Sequence, residues 1–299
     1  MSSPVSQVGT SHDLARVLRE RRDLGRKLLV AYLTGGMVPG WVEMAHALAA
    51  GGADAIEVGL PFSDPMIDGP VIQRASLLAL GRGATPAGLL EEIAQARIEV
   101  PVAVMTYYNL VFRAGHERMA GAMAAAGVTG AIVPDLPLEE SAPWRAAAAA
   151  AGVSAVLLVA PVTPEERAAE ICRQSRGFVY AAGLMGVTGE REVLASSAQV
   201  VGSRLGRLTD LPVCVGIGVS TPEQARSVAS AADGVVVGSA FVRMIIDGAT
   251  PEEIERVSAD FRSAIDGAAD GAGDQAGDGA GGQGIGEAGG AGSAPCGDG

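Results

Sequence analysis

Asp54-Ala55-Ile56-Glu57-Val58-Gly59, running on into Leu60-Pro61-Phe62-Ser63-Asp64-Pro65-Met66-Ile67-Asp68-Gly69-Pro70, joins an apolar run of strand length to a proline-rich loop. A short continuous run of this kind, bounded by Gly, Pro or Asp, suits a parallel strand covered on both faces. Seven others share the pattern: Leu28–Leu33, Pro101–Thr106, Gly130–Pro134, Ser154–Val159, Gly177–Ala181, Pro212–Gly216 and Gly234–Gly238. Between the runs the apolar spacing becomes helical, over Trp41–Ala50, Val71–Leu80, Gly88–Glu99, His116–Ala126, Glu139–Ala151, Pro164–Gln174, Arg191–Leu208 and Pro222–Ala232. His12–Leu24 and Pro251–Ile265 flank the set as leading and closing helices. Thr163-Pro164-Glu165 and Thr221-Pro222-Glu223 read as helix starts, each a capping hydroxyl ahead of a first-turn proline and acid.

Eight strands alternating with eight crossovers predict an α/β fold, a single (β/α)8 TIM barrel with an extra N-terminal helix. A doubly wound open sheet is the rival, but Thr34-Gly35-Gly36 is a weak phosphate turn after the first strand. The barrel domain is expected over 12–266, behind a flexible 1–11. The last 33 residues contain 14 glycines and five acids, and Ile285 is their only large aliphatic side chain. Ordering a residue costs about 1–2 kcal/mol of backbone entropy. With so little to bury in return, 267–299 reads as a disordered acidic Gly-rich tail.

Composition narrows the chemistry. At 48% hydrophobic and 4% aromatic, the core must be aliphatic and rich in small residues. A formal charge of −12 argues against a nucleic-acid partner. No apolar run reaches membrane-spanning length and the first residues lack a signal-peptide layout, so a cytoplasmic protein with no membrane partner is expected. Cys172, Cys214 and Cys296 show neither metal nor redox spacing. Lys27, the only lysine, precedes the first strand and so falls at the barrel end opposite the active face. His12 and His46 lie in helices and His116 opens one. Schiff-base chemistry, a cofactor held by lysine and a histidine metal site are therefore not expected. A sugar-phosphate isomerase, which wants a histidine or lysine electrophile, is disfavoured likewise.

Carboxylates and glycines remain for the active face. Glu57 shares its strand face with Ala55 and Gly59, which leave room for it in the barrel mouth. A carboxyl among apolar side chains has its pKa raised toward neutrality, which makes it a usable proton donor. Asp68, on the following loop, is placed to reach back over the mouth, while Asp64 suits a turn cap as well as a substrate contact. Gly186-Val187-Thr188-Gly189, Gly216-Ile217-Gly218 and Gly238-Ser239 follow the sixth, seventh and eighth strands. Glycines there let backbone N–H groups approach an anion, and barrel phosphate sites are built from these loops and a helix N-terminus.

The loop Leu60–Pro70 closely resembles the signature of the tryptophan synthase α subunit family. The likeness continues through Met105-Thr106-Tyr107-Tyr108-Asn109, Val133-Pro134-Asp135-Leu136-Pro137, Gly186–Gly189, Gly216–Gly218 and Gly238-Ser239, spanning roughly 12–265. It implies a cofactor-free lyase cleaving indole-3-glycerol phosphate to indole and glyceraldehyde 3-phosphate. It also implies an α2β2 complex whose PLP-containing β subunit receives the indole through a tunnel. Position by position, Glu57 matches the general acid and base that protonates indole C3. Asp68 matches the carboxylate stabilising positive charge at the indole nitrogen. Tyr180 matches a substrate-side hydroxyl, and Thr188 a closing-loop partner of Asp68. Gly189, Gly218, Gly238 and Ser239 match the phosphate cradle, and Tyr32, Tyr107 and Ile217 are assigned to the indole pocket by position. Leu184-Met185 stands where many relatives have an arginine, which removes a cationic contact there. A free-standing indole-releasing lyase and an idle barrel that activates a partner are the competing readings.

Overall fold

A computed structural model describes residues 12–182, 200–216 and 218–273 of the chain. Eight parallel strands close into a barrel in chain order. They are β1 Leu28–Thr34, β2 Ala55–Gly59, β3 Val102–Met105, β4 Gly130–Ile132, β5 Ser154–Val159, β6 Val179–Ala182, β7 Val213–Gly216 and β8 Gly234–Val237. Around them run α1 Leu14–Asp23, α2 Trp41–Ala50, α3 Pro70–Gly81, α4 Pro86–Ala96, α5 Tyr108–Ala114, α6 His116–Ala125, α7 Ala142–Ala150 and α8 Glu165–Gln174. They continue with α9 over residues 200–205, α10 Pro222–Ala229, α11 Ser239–Ile246 and α12 Pro251–Gly273. This is a (β/α)8 barrel. Among the described residues no helix is long and apolar enough to cross a membrane.

The doubly buried strands explain why their apolar runs do not alternate with polar residues. All seven residues of β1 are buried. Leu29, Ala31 and Leu33 pack in the outer cluster under the helices. Leu28 and Val30 instead join Ala55, Ala103, Ile132, Val156, Phe178, Cys214 and Val236 in a second cluster inside the barrel. Leu14 and Leu18 of α1 belong to that inner cluster, so the leading helix plugs the floor. Each is fully buried, worth about 1.5–3 kcal/mol apiece. Gly130 accommodates the plug: a Cβ there would stand 2.3 Å from Leu14 Cδ2.

The floor carries a polar strut as well. Asp54, wholly buried just before β2, accepts from Leu29 N–H at 2.7 Å and from Arg262 of α12 at 2.8 Å. Arg26 stands 3.1 Å away, and Arg21 of α1 also pairs with it. Three guanidinium groups from the two ends of the chain thus meet one carboxylate.

Thr221 caps α10 as the sequence implies, accepting from Gln224 N–H. Thr163 does not cap α8, whose first residue is Glu165; its Oγ1 accepts from Ala160 N–H at 3.1 Å and closes the preceding turn instead. The expected end of the folded body at 266 falls inside α12, which continues to Gly273. Ala268 is buried and Arg226 donates to Gly267 O at 3.3 Å, so packing carries the helix past that point. Residues 274–299 and 1–11 lie outside the described residues.

Candidate active site

A cavity of about 400 Å³ opens at the C-terminal ends of the strands. Strand parity builds it. The inward positions Tyr32, Glu57, Met105, Ile132, Leu158, Tyr180, Gly216 and Val236 come from all eight strands. Tyr32 and Glu57 are register partners on β1 and β2. Two glycines make space for the tyrosines: a Cβ at Gly59 would lie 2.1 Å from the Tyr32 hydroxyl, and one at Gly216 2.5 Å from that of Tyr180. Tyr32 Oη sits 3.1 Å from Thr34 Oγ1, and its ring also packs against Gly238.

Glu57 is 1% exposed, and neither carboxyl oxygen has a hydrogen-bond partner among the described residues. Loss of hydration, with a smaller contribution from the nearby negative charge of Asp68, pushes its pKa up to about 8. Asp68 lines the same cavity from the loop between β2 and α3. Desolvation raises it to about 6, and a hydrogen bond from Tyr107 pulls the other way. It is therefore less firmly ionised than an exposed aspartate. The loop is held in place: Gln73 donates to Asp68 O at 2.9 Å, Ile67 N–H donates to Tyr107 Oη at 3.1 Å, and Phe62 stacks on the Tyr107 ring with centroids 5.0 Å apart. Burial pushes the Tyr107 hydroxyl up to about 12 and holds those of Tyr32 and Tyr180 well above the ordinary range. All three therefore remain hydrogen-bond donors at neutral pH.

Gly218, Gly238 and Ser239 line the same cavity from the C-terminal ends of β7 and β8. Gly218 has a φ of +63°, open to glycine at little cost. Gly238 precedes α11 without a side-chain cap, so the helix's first N–H groups are left for a ligand. Glu57, Asp68, Tyr32, Tyr180, Gly218, Gly238 and Ser239 thus share one cavity, and Tyr107 joins it through Asp68. Thr188, Gly189 and Ile217, with Leu184-Met185, lie outside the described residues. Asp64 is exposed and accepts from Ser63 Oγ at 2.6 Å, away from the cavity. His116 is taken up by Tyr108, at 3.1 Å from its hydroxyl. Sequence reading missed Arg243, which also lines the cavity. Its signal was the spacing of four from Ser239, which puts both on one helix face.

Among the described residues no group of three or more His, Cys, Asp or Glu could hold a metal. The arrangement offers a proton donor, a second carboxylate and a main-chain anion site in one cavity.

Residues 18–269 match the family model described as tryptophan synthase alpha chain. The tryptophan synthase alpha chain of Streptomyces avermitilis is 48% identical over 238 residues, covering 78% of this chain and 86% of that protein. Its counterpart from Halorhodospira halophila is 45% identical over 269 residues, covering 86% and 98%. Among solved structures, tryptophan synthase from M. tuberculosis in its aminoacrylate- and BRD0059-bound form is similar at a TM-score of 0.76 and 36% identity, covering 85% of this chain and 98% of that one. The alpha subunit from Legionella pneumophila gives 0.78 and 32%, covering 86% and 100%.

Proposed function

The chain belongs to the tryptophan synthase alpha chain family, and from that premise we propose how its own residues carry the family's reaction. It acts as the family does: a carbon–carbon lyase of tryptophan biosynthesis that cleaves indole-3-glycerol phosphate to indole and glyceraldehyde 3-phosphate, with a β subunit as partner. The observation that supports the residue roles best is Glu57, sealed and without a hydrogen-bond partner among the described residues, in a cavity also lined by Gly218, Gly238 and Ser239.

Cleavage needs a proton on indole C3 and the loss of one from the C3′ hydroxyl. With a pKa near 8, Glu57 holds a proton at neutral pH and gives it to C3. The ring then carries positive charge at its nitrogen, which the Asp68 carboxylate stabilises, since a group near 6 is mostly ionised at that pH. Glu57, now a carboxylate, takes the C3′ hydroxyl proton. The C3–C3′ electron pair returns to the ring as the carbonyl of glyceraldehyde 3-phosphate forms, so the enzyme ends in its starting protonation state. Tyr180 donates to the substrate from the cavity wall. Tyr32, Tyr107 and Ile217 bound the indole, while Gly189, Gly218, Gly238 and Ser239 hold the phosphate. Thr188 couples loop closure to Asp68. Metal and cofactor have no step in this scheme.

The β subunit docks on the mouth side in an α2β2 assembly. Met66, 92% exposed on the loop that carries Asp68, supplies apolar surface for it. The setting is the cytoplasm, and residues 274–299 are dispensable for turnover. Indole release from indole-3-glycerol phosphate, measured with and without a β subunit, tests the reading. Release in both cases, faster in the complex, is expected. An absence of indole in both would overturn it, and release indifferent to the β subunit would favour a free-standing lyase.

A further inference from the structure

The cavity poses a problem of charge. Its substrate carries a phosphate, yet the ionisable carboxyls on its wall are Glu57 and Asp68 and the whole chain stands at −12. Among the described residues lining the cavity, Arg243 is the only cation. It lies one helical turn beyond Ser239, on the same face of α11. Helical side chains lean toward the N-terminus of their helix. In α11 that end borders the cavity, and the first carbonyl-bound amide of the helix is Val242, which donates to Gly238 O at 3.0 Å. The amides of Ser239, Ala240 and Phe241 therefore have no intrahelical acceptor.

Arg243 is also uncommitted. Among the described residues its side chain makes no hydrogen bond or ion pair, whereas the arginines around it are in use. Arg74 pairs with Asp247 at 3.6 Å, at the far end of α11, and Arg226 donates to Gly267 O. Phe241, Val242 and Ile245 bury the other faces of the helix, which leaves Arg243 exposed at the cavity rim. A planar guanidinium can grip two phosphoryl oxygens at once and adds a full positive charge that backbone amides lack.

We propose that Arg243 is a phosphate-binding residue of this site, clamping the phosphoryl oxygens that the Gly238–Ser239 amides leave free. The proposal rests on reading that wall as the phosphate cradle. Arg243 gives the enzyme its preference for the phosphorylated substrate over indole-3-glycerol, the same molecule without phosphate.

The test compares Arg243→Gln, Arg243→Lys and Ser239→Asp in the complex with a β subunit, using both substrates. Arg243→Gln should lower kcat/KM for indole-3-glycerol phosphate by about 10–100-fold, chiefly through KM, as expected for a lost charge-assisted hydrogen bond. Its preference for the phosphorylated substrate should shrink by the same factor and inorganic phosphate should inhibit less, with Arg243→Lys recovering much of both. Equal losses on the two substrates would leave the preference intact and reduce Arg243 to a structural residue. An unchanged KM in Arg243→Gln, beside a sharply raised one in Ser239→Asp, would overturn Arg243 and leave the cradle. If neither variant moves KM, the cradle falls and the role of Arg243 with it.

Discussion

Asp54 and Glu57 stand three residues apart, one just before β2 and the other at its middle; both are buried, and their surroundings are opposite. Asp54 faces outward at the floor, where a backbone N–H and three arginines meet it. Glu57 faces inward at the mouth, and its carboxyl has no hydrogen-bond partner among the described residues. A buried charge that is fully paired acts as a strut, costly to break. A buried carboxyl left unpaired avoids the charged form and stores a proton near neutral pH. The fold therefore separates holding itself together from doing chemistry by less than the height of the barrel.

The sharpest way to break this comparison is Glu57→Gln. Turnover should fall by about 10²–10⁴-fold with substrate binding kept, as for loss of one positioned acid–base; steady-state kinetics checks it, and unchanged kcat would remove Glu57 from the mechanism. Asp54→Ala should instead cost about 3–5 kcal/mol of stability, since it strands the buried Arg262 guanidinium, and urea denaturation would read it. In the folded fraction kcat should change little.

Stability should move the other way for Glu57→Gln. The pKa of Glu57 is about 8 in the fold against 4.5 unfolded, so the native state keeps a proton that the unfolded chain releases. Its contribution to stability is full below 4.5 and lost as pH rises toward 8. The amide has no such loss, so the variant should be more stable at pH 8 by on the order of 1–3 kcal/mol, with the difference vanishing below pH 4. Thermal melts across that range would show it; a constant difference would sink the idea. The smallest effect concerns kcat/KM against pH. Limbs near 6 and 8 are expected, from Asp68 ionising and Glu57 losing its proton. Tyr107→Phe removes the hydrogen bond that lowers Asp68, so the acid limb should move up, by less than a unit, with the basic limb fixed.

The strands were legible because covering on both faces leaves only apolar residues to choose from, and Glu57 stood out as the one carboxyl inside such a run. Asp68 and the glycines followed from the rule that strand C-termini carry the site. Helix ends were harder. The Gly88–Glu99 pattern begins earlier, at Pro86 behind the Thr85 cap, and stops at Ala96 because Arg97 turns left-handed at φ 51° with no glycine to mark it. Ser141 and Pro143 split Glu139–Ala151 into a short 3-10 turn and α7. Arg243 escaped because an arginine on an amphipathic helix looks like any solvated charge until the helix is set against the cavity. The close fit of Gly59 to Tyr32 depends on register, which no local pattern reveals.

The plugged floor has a consequence for how the chain is made. Leu14 and Leu18 emerge early in synthesis, but their inner-cluster neighbours include Phe178, Cys214 and Val236. Leu28 likewise waits for Gly234 before its strand gains a second neighbour. Such distant pairings slow folding and leave apolar surface bare in the meantime. The nascent barrel must then stay open until its eighth strand leaves the ribosome, and α1, made before the other described helices, is among the last parts to be fully enclosed.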